Sequence, residues 1–187
     1  RFTMMECSTM ILLTTAYPHN LGTFGVGGRS LRVLDHEIQI PVDDYWVSQD
    51  MSVVAVPPNV TVDLLLATPH LGNIPMGFLI NASEENPEGT GFRFTRAGEQ
   101  LTLPSGPIGF SRDLHYVNKI YIDKLQVIQI GVEYSKKNDW ALANVTAALE
   151  AQNEGNYSEA MAIAFKAWAN VQKLYTELRS TIVDTSG

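Results

Sequence analysis

The chain has 187 residues, 45% of them hydrophobic and 18% charged, enough for one ordinary domain with or without an appendage and too apolar for a disordered tail. Its 13 Lys+Arg against 20 Asp+Glu give 13 − 20 = −7, which repels phosphate backbones and anionic lipid unless a basic patch is hidden in the surface, so no nucleic-acid partner is expected. One cysteine, Cys7, excludes an internal disulfide and cysteine-rich zinc sites, and no run approaches the roughly 20 apolar residues of a spanning helix.

From the N-terminus onward, Gly, Pro and Asn turns recur about every eight to fifteen residues between short β-branched and aromatic runs. The pattern predicts strands at 9–17, 31–40, 45–56, 60–68, 76–81, 91–95, 100–103 and 119–134. Eight strands predict a mainly β fold, an immunoglobulin-like or jelly-roll β-sandwich over residues 1–137. Phe92 and Phe94 alternate with Arg93 and Thr95, and Leu101 and Leu103 follow a turn at Arg96-Ala97-Gly98-Glu99, the signature of a hairpin. In the last run the apolar phase shifts from Leu125 and Val127 to Ile128, Ile130, Val132 and Tyr134, which predicts a bulge or a change of sheet near Val127.

After Pro107 there is no further proline, and from Asp139 the chain is alanine-rich. Residues 138–187 are therefore predicted to form an antiparallel helical hairpin, packed on the sandwich or projecting as a stalk. The first helix is capped by Asn138 or Asp139 and ends near Asn153; the second, capped by Ser158, runs to about Val183. In the second helix Ala160, Ala164, Ala167, Val171, Leu174, Leu178 and Ile182 recur at three and four, beside a second stripe of Met161, Phe165 and Trp168 that is the candidate interaction face. The run Glu154-Gly155-Asn156-Tyr157-Ser158-Glu159-Ala160, with Ala164 and Ala167, resembles the turn and second helix of a tetratricopeptide repeat over about residues 141–174. Asn144 and Ala151 depart from that pattern and no second copy occurs. The resemblance therefore implies a hairpin of that style rather than a peptide-binding array, which needs about three units.

Four Asn-x-Ser/Thr acceptors, at Asn59, Asn81, Asn144 and Asn156, exceed the roughly 1.5 that composition predicts by chance, and they are the glycosylation candidates. Sites for chemistry are harder to find. The run Gly22 to Ser30 lacks the Lys and the following helix of a phosphate loop. His19, His36, His70 and His115 lack the spacing that puts two imidazoles on one metal, and Asp35 and Glu37 face away from His36 in a strand. No metal site, cofactor or catalytic residue is expected. The chain is thus expected to be a non-catalytic extracellular or cell-surface module for interaction or assembly: a glycoprotein, membrane-anchored through a segment absent here, or a subunit of a surface complex that meets a protein partner or itself. It begins with Arg1 rather than an initiator Met, and a signal peptide or an anchor at either end would not show in it. The alternative is a sugar-binding protein or hydrolase with a loop-built site at one end of the sandwich, drawing on Asp43, Asp44, Trp46, His70 and His115.

Overall fold

The computed structural model describes residues 7–12, 30–49, 51–68, 74–103, 105–127 and 132–185. In chain order these form β1 (Ser8–Leu12), β2 (Ser30–Asp35), β3 (Trp46–Val47), β4 (Val53–Val56), β5 (Val60–Thr68), β6 (Ile74–Leu79), β7 (Phe92–Phe94) and β8 (Gln100–Leu103), followed by α1 (Gly106–Gln126), α2 (Val132–Asn153) and α3 (Tyr157–Thr185). Two compact units result: a β unit, Arg1–Asn81 with Thr90–Gly106, and a helical unit, Ala82–Gly89 with Pro107–Gly187.

The β unit holds two four-stranded sheets. One has the order β3-β4-β1-β8, with β1 antiparallel to β4 and parallel to β8. The other is centred on β5, whose first edge pairs with β2 and whose second is shared by β7 over 60–62 and β6 over 64–68. Flanked on both edges, β5 buries most of its apolar run: Val62, Leu64, Leu66 and Ala67 are fully buried.

The expectation of a mainly β immunoglobulin-like or jelly-roll sandwich is overturned: among the described residues 47% are helical and 27% lie in strands, in two small sheets. One cause is α1, which occupies 119–126 of the segment expected to be a strand over 119–134, with α2 beginning again at Val132. Its buried seam, Ile108, Ser111, His115, Asn118, Ile122 and Leu125, recurs at three and four. Three of those six are polar, and beside them the apolar residues Phe110, Leu114, Val117, Tyr121 and Leu125 also recur at three and four, a helical period that the strand expectation overlooked. The bulge or change of sheet expected near Val127 has no counterpart among the described residues, since α1 extends to Gln126 and α2 starts at Val132; residues 128–131 lie outside them. A second cause lies in β7 and β8, which are not a hairpin. β7 pairs with β5 in one sheet, β8 pairs with β1 in the other, and the turn between them carries the chain across. That turn has Gly98 at φ +84°, and its Glu99 carboxylate accepts the Thr95 amide at 2.9 Å and hydroxyl at 2.7 Å. Those bonds hold the Glu99 carboxyl below its usual pKa.

The helical unit is held by small-residue packing. α2 ends in a Schellman turn: Gly155 takes φ +82°, Asn156 N donates to Ala151 O at 2.8 Å and Gly155 N to Gln152 O at 3.0 Å. Ala160, Ala164, Ala167, Val171, Leu174 and Leu178 on α3 are buried, as are Ala141, Val145 and Ala148 on α2. α1 runs parallel to α3. Ile108 joins the cluster of Val145, Ala148, Ala164 and Ala167, and Ile122 and Leu125 join Leu174 and Leu178.

Candidate functional site

The most constructed feature of the β unit is the turn after β2. Asp35 Oδ1 accepts the amides of Glu37 (2.9 Å) and Ile38 (3.2 Å), an Asx turn. Gln39 then takes the left-handed conformation, φ 54°, which L side chains rarely adopt. It is braced from inside. Asp63 of β5 is 2% exposed, and its carboxylate accepts His36 Nδ1 at 3.0 Å to each oxygen and Gln39 Nε2 at 2.7 Å. A carboxylate only accepts, so Nδ1 carries the hydrogen. Gln39 Nε2 also reaches the His36 carbonyl at 2.8 Å. Gly91, at φ +65°, lies flat against this cluster: a Cβ there would stand 2.6 Å from Thr61 Cγ2 and 2.9 Å from His36 Cγ. The product is a rigid turn that presents Ile38 and Ile40 to solvent, 62% and 54% exposed. No site at His36 is expected from the sequence; the available signal is Asp63, the one charge in the apolar run of β5.

The chain continues into β3, an edge strand of the other sheet. Asp43, Asp44, Tyr45 and Trp46 line a groove of about 320 Å³ with Cys7 and the β4 residues Ala55 and Val56. Trp46 is 59% exposed while its backbone pairs with Ala55, so the indole is presented rather than buried. Three of the loop residues singled out in the sequence therefore share one groove. No family model, curated protein or solved structure matches this chain. What the groove can take follows from its own side chains: an exposed indole and a phenol offer flat apolar faces, and two exposed carboxylates offer acceptors. Among the described residues no three His, Cys, Asp or Glu are grouped to hold a metal ion.

The other predicted residues are dispersed. His70, like His19 and most of the Gly22 to Ser30 run, lies outside the described residues. His115 is in α1 of the helical unit, where Nδ1 donates to the Asn138 carbonyl and Asn138 Nδ2 returns a bond to the His115 carbonyl, each 3.0 Å. Burial pushes its pKa below the usual histidine value. It is a clasp between α1 and α2. Asn59 and Asn81 sit exposed at positive φ, 58° and 55°. Asn156 is exposed in the α2–α3 turn, and Asn144 is half-buried on α2 with its Nδ2 on the Trp140 carbonyl at 2.7 Å. Of the stripe Met161, Phe165 and Trp168, Trp168 is 7% exposed, stacked on Phe110 of α1 at 5.3 Å and near Phe165 at 6.1 Å. α1 thus covers the tryptophan of that stripe, while Met161 and Phe165 are half-buried.

Proposed function

We propose that the chain is a non-catalytic interaction or assembly module of an extracellular or cell-surface protein, and that the segment from Ile38 to Trp46 meets its partner. The observation that carries this is the braced turn. A buried carboxylate, a histidine and a left-handed glutamine hold two isoleucines outward, where each leaves more than half its surface wet, disfavoured by about 1–2 kcal/mol relative to full burial. Such rigid apolar display suits a contact surface, because little ordering remains to be done on binding. The acceptors at Asn59, Asn81 and Asn156, all exposed, support the extracellular location, with anchoring through a segment outside this chain.

The test is a photo-crosslinking residue placed at Ile38 or Ile40 in the native host, with exposed Glu154 as the control position. A discrete adduct from the turn and none from Glu154 supports the reading; equal or absent adducts overturn it. The groove of Asp43, Asp44, Tyr45 and Trp46 favours a second reading, a sugar ring stacked on Trp46 with its hydroxyls on the carboxylates. Saturable quenching of Trp46 emission by an oligosaccharide, abolished by Trp46→Phe, would favour it over protein contact.

A further inference from the structure

In a chain of net charge −7, four of the six lysines, Lys136, Lys137, Lys166 and Lys173, line one groove of about 510 Å³ between α2 and α3. Only one lining carboxylate faces them, Glu177, whose Oε2 is 3.4 Å from Lys137 Nζ. Three ammonium charges are left over. The groove also has an apolar component: Trp140, 41% exposed, carries Lys166 Nζ 5.3 Å from its ring centroid, above a floor closed by the buried Leu174.

The spacing indicates the shape of the ligand. Lys166, Lys173 and Glu177 sit at i, i+7 and i+11 of α3, so the lined face is roughly 16 Å long, with Lys166 and Lys173 roughly 10 Å apart along the axis. Charge strung along a groove does not converge on one phosphate. It matches a polyanion whose charges are themselves spaced. Lysine is a point charge without the fork that selects phosphate oxygens, and the exposed Trp140 ring asks for an apolar group between the anions. We propose that this groove docks an acidic polypeptide segment of a partner, with Asp or Glu side chains on the lysines and an apolar side chain against Trp140. The inference stands on the helical unit alone and does not depend on the turn at Ile38.

The experiment is fluorescence polarisation of a labelled 12-residue peptide of Glu and Leu at helical spacing against the full chain. The arms are its Gln-for-Glu counterpart, an all-Glu peptide, a dT12 oligonucleotide, and phosphatidylcholine vesicles containing phosphatidylserine. The Glu/Leu peptide is expected to bind, to weaken as salt rises, and to weaken tenfold or more in Lys136→Gln/Lys173→Gln and again in Trp140→Ala. The Gln and all-Glu peptides should bind less tightly. All three substituted residues are exposed, and circular dichroism checks that the helices persist; should a variant unfold, the salt series and the peptide comparison on the unaltered chain still decide. Preferential saturation by the oligonucleotide or the vesicles overturns the proposal, as does equal binding of the Gln peptide or indifference to the lysine substitutions in a folded variant.

Discussion

Gly91 shows how one missing side chain decides whether the display turn exists. Its positive φ and the 2.6 Å and 2.9 Å approaches to Thr61 and His36 leave no place for a methyl group. Gly91→Ala should cost about 1–3 kcal/mol in denaturant unfolding. His36→Ala leaves the buried Asp63 carboxylate with Gln39 as its remaining side-chain partner, an expected loss of about 1–3 kcal/mol by the same measurement. His115 gives the pH dependence. Its folded pKa lies below the ordinary 6.5 because burial disfavours the imidazolium, so below pH 6.5 the unfolded chain binds the proton that the folded chain refuses. Its contribution is fully present above about pH 6.5 and is lost as pH falls toward the folded pKa, at no more than about 1.4 kcal/mol per pH unit. Urea midpoints at pH 7.5 and 5.5 should therefore differ less for His115→Leu than for the unaltered chain. An equal difference would show that His115 is not what titrates.

At the level of elements, α1 is unusual in running a polar seam through a helical core. The Ser111 hydroxyl donates to the Pro107 carbonyl of its own helix at 2.7 Å, while Asn118 Nδ2 reaches across to the Val171 carbonyl at 2.9 Å and His115 clasps Asn138. The bonds between helices fix the register of α1 on its neighbours, which an all-apolar seam would leave free to slide. The alanines of α2 and α3 then allow close approach, and Trp168 fills the space beside Phe110. Trp168→Ala should lower unfolding stability by about 3–5 kcal/mol, as a large core truncation does, with self-association unchanged. A small stability change with weakened association would instead place the indole at a partner surface. The α3 seam was legible in the sequence because its contacts are apolar and periodic; α1 carries a periodic apolar set too, at Phe110, Leu114, Val117, Tyr121 and Leu125, but the polar core positions Ser111, His115 and Asn118 broaden its buried face and mask that period.

At the level of the molecule, the two units differ in what they present: the β unit shows isoleucines and an indole, the helical unit a lysine groove. Glycan placement tests the proposed compartment. Intact-mass and site mapping of native material should find modification at Asn59, Asn81 or Asn156 before Asn144, because Asn144 is half-buried in the middle of α2 whereas the other three are exposed outside helices and strands. Unmodified native material would remove the main support for an extracellular location.

Composition and local pattern alone determined the acidic balance, the absence of an internal disulfide, the turn chemistry at Gly155 and the alternation of Phe92 and Phe94, since each depends on neighbours in sequence. Tertiary structure decided the rest. Two strands joined by a tight turn went to different sheets because β7 found its partner in β5 and β8 found its partner in β1, far away in the chain. His36 met Asp63 only because β2 and β5 pair in register with Asp35 opposite Val62. Four lysines on two helices became one groove through the Schellman turn that folds α3 back along α2. Each depends on pairing across tens of residues, where the sequence supplies the groups and only the packed fold brings them within reach.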